Sequence, residues 1–158
     1  MRILHVVQAL SRKFGGVQTV LLDLAKAQAE SGIRVDILTT NVDAPTGVLN
    51  VPVDRFIQQH EARIWYFPVQ FRPLLFSMQF KRYMDIHVYG YDIIHIHGLY
   101  RFPSTYAAYQ ARKQGVPYII RPHGSLDPYL YAKSSRSVVL KRLYERWFDL
   151  PNLHAAGA

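Results

Sequence analysis

The sequence predicts an α/β domain: a Rossmann-like, doubly wound, mostly parallel sheet with helices on both faces. Three observations carry this expectation. A β-branched run at the start of the chain ends in a loop that closes on two glycines and opens a helix. A second strand follows that helix directly, and the order strand, helix, strand returns in the second half. Strands alternating with helices of this length imply right-handed crossovers, and hence parallel strands with helices packed above and below.

The first strand is Arg2 to Val7, followed by a loop from Gln8 to Phe14 and the pair Gly15-Gly16. From Val17 the apolar positions Val17, Val20, Leu21, Leu24, Ala25 and Ala29 keep the spacing of one helix face, and Gly32 stands where a C-cap is expected. Ile33 to Thr39 alternates as a second strand and runs into a polar loop holding Asn41, Asp43, Pro45 and Gly47. Val53 to Ile57 and Arg63 to Phe67 read as short strands, and Leu74 to Ile86 has helical composition after Pro73. Tyr91 to Ile96 is the next strand, Pro103 to Gln114 a helix capped by Gly115, and Val116 to Arg121 a further strand. Ser135 to Phe148 reads as a helix capped by Ser134 or Ser135, with Leu140, Leu143, Tyr144 and Trp147 on one face opposite Lys141, Arg142, Glu145 and Arg146. The final run, Asn152 to Ala158, resembles a strand cut short.

The 158 residues suit one domain with a sizeable core, and 49% hydrophobic with 19% charged residues is a globular composition. No stretch reaches the roughly 20 apolar residues of a membrane span, and no small-residue cleavage site follows the first strand. With no cysteine the chain has no disulfide framework and no thiolate metal site. These features predict a cytoplasmic protein. Nineteen Lys and Arg against 11 Asp and Glu give +8, which favours phosphates, anionic lipid or nucleic acid without choosing among them. No helix-turn-helix, zinc or RNP-type pattern supports nucleic acid.

In a doubly wound sheet ligands bind beyond the carboxyl ends of the strands, so the loops at 8 to 16, 97 to 102 and 122 to 128 are expected to line one crevice. Gly15-Gly16 brings backbone N–H groups and a helix dipole to where a phosphate could sit, or simply makes a tight turn. The segment has neither dinucleotide nor P-loop glycine spacing, which removes support for hydride transfer and ATP hydrolysis. His95 and His97, two apart on a strand, are expected on opposite faces and so not to share a metal. His97, before Gly98, is placed at the crevice and His95 in the core. Arg121-Pro-His-Gly-Ser-Leu-Asp-Pro128 sets an imidazole, His123, and Gly124 at the end of a strand, suited to hydrogen-bond a sugar hydroxyl or a phosphate. Arg12 and Lys13 are candidate anion contacts or solvated loop cations. Lys81, Arg82, Lys141, Arg142 and Arg146 beside Phe71, Phe76, Phe80 and Trp147 suggest a face for an anionic membrane, with two ordinary packed helices the favoured account.

Taken together, Gly15-Gly16 opening a helix, Tyr91-Asp-Ile-Ile-His-Ile-His-Gly98, Gly115-Val-Pro117 and Arg121-Pro-His-Gly-Ser-Leu-Asp-Pro128 resemble the family 4 glycosyltransferases of GT-B architecture, and the turn from His123 to Pro128 is similar to that of the bacterial surface-polysaccharide type. The resemblance runs the length of the chain. It implies the N-terminal, acceptor-side lobe of a retaining enzyme that moves a sugar from a nucleotide-diphosphate sugar to a glycan or lipid-linked acceptor, without a metal. His123 would then be the catalytic residue close to the transferred sugar, with Gly15, Gly16, His97, Gly98, Arg121 and Gly124 binding substrate. The family's nucleotide-binding lobe, with two glutamates eight apart, has no counterpart in these residues. The expectation is a lobe inactive alone; the alternative is a non-catalytic binding subunit or membrane-surface partner of a separate catalytic chain.

Overall fold

Five parallel strands and one antiparallel edge strand form the main sheet of the computed structural model, which describes residues 1–44, 46–59, 61–127 and 136–157. In chain order the strands are β1 (Arg2–Ala9), β2 (Arg34–Thr40), β3 (Val42–Asp43), β4 (Gly47–Val48), β5 (Ile57–Gln59), β6 (Ala62–Phe67), β7 (Ile93–His97) and β8 (Tyr118–Arg121). The helices are α1 (Val17–Glu30), α2 (Met78–His87), α3 (Phe102–Gln114), α4 (Arg136–Tyr144) and α5 (Leu150–His154), the last two joined by a π-helical turn, Glu145–Asp149. Across the sheet the order is β5-β6-β2-β1-β7-β8, and β3 pairs with β4 in a small separate hairpin. The chain therefore builds outward from β1 through β2 and β6, then returns to lay β7 and β8 on the other side. That reversal, between β1 and β7, is where a doubly wound sheet opens a crevice.

Alternation along the strands divides the core in two. Leu4, Val6, Leu38, Phe67, Ile94 and Ile96 point to the face covered by α2 and α3, where they meet Phe80, Met84, Ala107 and Ala111. Val7, Val35, Ile37, Ile64 and Tyr66 point the other way, onto Leu21 and Ala25 of α1. Small residues on α3 let that helix approach the sheet closely, while aromatic side chains fill the gap under α2: Trp65 stacks on Phe67 and both meet Tyr83 edge-on. Helix ends follow the glycines. Gly32 (φ +79) and Gly115 (φ +69) take the left-handed conformation that closes α1 and α3, and the N–H of Ile33 reaches back to the carbonyl of Gln28.

At the amino ends of the strands Asp36, fully buried, accepts hydrogen bonds from Arg2 Nη2 at 2.8 Å, Arg63 Nε at 2.7 Å and Tyr91 Oη at 2.9 Å. Burial pushes this carboxyl up, but the bonds from Arg63, Arg2 and Tyr91 outweigh it and hold the group below the usual carboxylate range. Three strands and the entry to β7 are tied together at this end, away from the crevice.

The structure corrects several expectations. The strand read at Val53 to Ile57 begins only at Ile57, because the chain bends there and the Val53 carbonyl accepts Trp65 Nε1–H instead of a ladder bond. The helix read from Leu74 begins at Met78: a 3-10 turn over Arg72–Leu74 ends in left-handed Leu75, and Ser77 then caps α2. The polar loop after β2 contains the β3–β4 hairpin. Asn152 starts no strand; it lies in α5, with Pro151 in the first turn. In the last long helix, which runs into the π-helical turn, Leu140, Leu143 and Trp147 remain exposed, and Val138, Asp149 and Asn152 are buried instead. The expected caps Ser134 and Ser135 lie outside the described residues, as does Pro128. Among the described residues no helix is long and apolar enough to cross a membrane.

Candidate active site

A cleft of about 660 Å³ opens at the switch point between β1 and β7. The end of β1 and the loop after it contribute Gln8, Ala9 and Phe14; the end of β7 and the loop after it contribute His97, Gly98 and Arg101; the turn after β8 contributes Pro122, His123 and Ser125. The three predicted loops thus meet. A fourth wall, unforeseen, comes from Val42 and Ala44 of the hairpin and from Arg72, Pro73 and Leu75 before α2. Backbone strain gathers here. Of five non-glycine residues with positive φ among those described, Ala44, Leu75 and His123 line the cleft, and Tyr100 sits in the loop after β7.

That loop is held from two sides. Gln8 Nε2 donates to the Leu99 carbonyl at 2.7 Å, and a Cβ on Gly98 (φ +87) would stand 2.7 Å from the same nitrogen, so only glycine fits. Asp149, buried in the π-helical turn, accepts the Tyr100 N–H and the Thr105 hydroxyl, both at 2.9 Å.

Beneath the cleft floor four histidines form one assembly. His95 and His97 share a face, because side chains on a strand repeat every two residues; the expectation of opposite faces is overturned. Their rings stack at 4.1 Å between centroids, on the α1 side of the sheet, where His5 joins them from β1. His5 Nε2 lies 2.8 Å from Gln28 Oε1, His5 Nδ1 lies 3.1 Å from His97 Nε2, and His97 Nδ1 lies 2.9 Å from His123 Nε2. Burial lowers the pKa of all four: His97 falls to about 2 and His95 to about 4, His95 and His5 adding to the first and His5 to the second. The assembly is neutral near pH 7. His5, His95 and His97 also offer ligand atoms within 4.8 Å of one another, a spread that includes a stacked pair and a hydrogen-bonded pair rather than three lone pairs converging on one point.

Of the residues singled out from sequence, His97, Gly98 and His123 line the cleft. Gly15 and Gly16 line a separate cavity of about 550 Å³ against Gln18, Asp23, Lys26 and Gln59, while Phe14 and Val17 on either side of them face the cleft. Positive φ belongs to Gly15 (+87); Gly16 is helical at −69 and its Cβ position is open. Arg121 is exposed at the end of β8, where its carbonyl accepts the Gly98 N–H, and Gly124 (φ +80) turns the chain between His123 and Ser125. Lys13 is paired with Asp43 at 2.7 Å.

A family model for Glycosyltransferase Family 4 matches residues 14–157. The chain belongs to glycosyltransferase family 4. Among solved structures it is similar to a sucrose-phosphate synthase from Thermosynechococcus elongatus, with a TM-score of 0.56 and 21% identity over 97% of this chain and 38% of that one. It also matches the MurG of Acinetobacter baumannii, with a TM-score of 0.48 and 18% identity over 89% of this chain and 38% of that one. No curated protein matches the sequence. The first similarity supports the fold, one Rossmann-like lobe of the GT-B type, and the chain spans 38% of the length of either structure. Sequence reasoning within this family missed Arg72, Arg101, Gln8 and Gln28. Arg72 and Arg101 each precede a proline-containing turn and carry no motif, and Gln28 is one polar residue on a helix whose apolar face alone shows in the pattern.

Proposed function

We propose that the chain is the acceptor-side lobe of a retaining enzyme that transfers a sugar from a nucleotide-diphosphate sugar to a glycan or lipid-linked acceptor, with His123 touching the transferred sugar and no resident metal. The observation that carries the reading is the cleft at the β1/β7 switch point, whose lining includes His123 and two cations, Arg72 and Arg101. Positive charge in the lining suits a diphosphate; a neutral imidazole and backbone groups suit a sugar. In this reading the second lobe supplies the nucleotide site, and the chain alone positions one partner without the charge stabilisation that transfer needs.

The test is His123→Ala in the full-length enzyme, assayed for transfer and for thermal unfolding. Turnover should fall by roughly a hundredfold or more, the scale of losing one well-placed contact in a transition state, while the melting temperature holds. Equal loss of both would place His123 in the fold and not in the chemistry. Purified residues 1 to 158 should show no transfer with any nucleotide sugar.

A second reading concerns a different surface. Leu140, Leu143 and Trp147 are exposed, Trp147 by 71%, next to exposed Arg142 and Arg146. An apolar strip flanked by cations suits an anionic bilayer surface, and sedimentation with phosphatidylserine vesicles, lost in Trp147→Ser, would bear it out.

A further inference from the structure

The hydrogen bonds from α1 to the cleft have a direction. Each neutral imidazole carries one N–H and one lone pair, so in a chain of imidazoles the first bond fixes every later one. The first partner is an amide oxygen, which only accepts. Gln28 Oε1 takes the Nε2–H of His5. His5 Nδ1 is then bare and takes the Nε2–H of His97; His97 Nδ1 is bare in turn and takes the Nε2–H of His123. His123 is left with Nδ1 as a lone pair, the one ring nitrogen not engaged by His97.

We propose that Gln28, His5 and His97 are positioning residues that hold His123 in its Nε2–H tautomer and so present the cleft with a hydrogen-bond acceptor. The group His123 recognises is accordingly a donor, a sugar hydroxyl, and not a phosphate oxygen. The inference rests on the reading that His123 touches substrate, and it specifies the chemistry of that contact. Three features of the structure support it. His5 and His97 are 0% and 1% exposed, so no water competes for the bonds between them. Gln28 lies in the last turn of α1, where its side chain reaches His5 of β1 at 2.8 Å. His95 stacks on His97 with the ring planes 30° apart and lies tilted against His5, crowding both rings. Two of the ring nitrogens in the His5, His95 and His97 cluster, His5 Nδ1 and His97 Nε2, are joined to each other by a hydrogen bond.

Long-range ¹⁵N–¹H correlation spectra of the 158-residue chain at neutral pH read the tautomers directly. His5, His97 and His123 should each show a pyrrole-type Nε2 and a pyridine-type Nδ1. Gln28→Glu keeps an acceptor and should leave all three unchanged. Gln28→Lys puts a donor in its place and should reverse all three, turning His123 Nδ1 into the protonated nitrogen; Gln28→Leu should leave a mixture and guards against a lysine that swings out to solvent. A wild-type His123 protonated at Nδ1, tautomers indifferent to all three substitutions, or a stoichiometric divalent metal bound to the purified chain would each overturn the proposal. In the full-length enzyme Gln28→Glu should retain transfer while Gln28→Lys loses about tenfold or more in turnover. If the spectra reverse as expected but turnover does not change, the contact of His123 with substrate is what fails.

Discussion

Acidification should unfold this protein early, well before its carboxylates protonate. His97 is 1% exposed and its pKa is pushed down to about 2; His95 is half-buried against it and falls to about 4. Both therefore stay neutral in the fold, while in the unfolded chain each takes up a proton around its ordinary 6.5. A depressed pKa on a base means that the unfolded state binds more protons, so stability is lost as pH falls through 6.5 and continues to fall toward the folded values. Between about pH 7 and about pH 5.5 each group contributes about 1.3 kcal/mol of lost stability, or about 2.5 kcal/mol for the two, and His5 adds to this in the same direction. Asp36, depressed in the fold, acts in the same direction only near its ordinary 3.8; Asp149, pushed up by burial, opposes at the acid end. The assay is urea unfolding by far-ultraviolet circular dichroism at the two pH values, where a slope near 2 kcal/mol/M turns the loss into a drop in midpoint of about 1.3 M. The His95→Asn variant separates the histidines from every other titrating group, and its drop should be smaller by about 1.3 kcal/mol. A midpoint that does not move between the two pH values would refute the argument.

Three further outcomes follow from the geometry. Asp36→Ala removes the one acceptor shared by Arg2, Arg63 and Tyr91 and leaves two partly exposed guanidinium groups and the buried Tyr91 hydroxyl without it, which should cost about 1 to 3 kcal/mol in urea unfolding. Gly98→Ala must place a Cβ 2.7 Å from Gln8 Nε2 at a φ of +87; a loss of about 1 to 3 kcal/mol is expected, accompanied by increased proteolysis in the loop after β7. Gly16→Val meets open space at a helical φ, so the chain should lose no more than about 1 kcal/mol of stability. In the full-length enzyme the same change should raise the KM for the nucleotide sugar if Gly16 approaches a phosphate, and an unchanged KM would remove it from the site.

Strand and helix order was legible because the alternation of Ile33 to Thr39 and the left-handed glycines at 32 and 115 are local signals that tertiary contacts reinforce. Legibility failed where long-range contacts decide. Nothing within a few residues of Val53 announces that Trp65 will take its carbonyl, and nothing near Trp147 announces a π-helical turn organised by Asp149. The site divides in the same way. His97, Gly98 and His123 stand at the ends of strands, where position in the pattern alone places them at the crevice. Arg72 and Arg101 reach it through turns whose path depends on packing. The histidine assembly was hidden twice over: its members come from two strands and one turn, and the strand period of two, misapplied to His95 and His97, separated neighbours that in fact touch.

The two bonds from Asp149 reach the other end of this lobe. They link Tyr100 and Thr105 to a residue 49 and 44 positions later, so the strained turn above the cleft is splinted by the segment leading into α5. A push on that segment has no slack to absorb it: Tyr144 also donates to Thr105, and Asn152 Nδ2 donates to the Thr105 carbonyl. The first turn of α3 and the loop after β7 are therefore fastened to the same short segment. The mouth of the cleft is thereby tied by hydrogen bonds to a segment that does not line it.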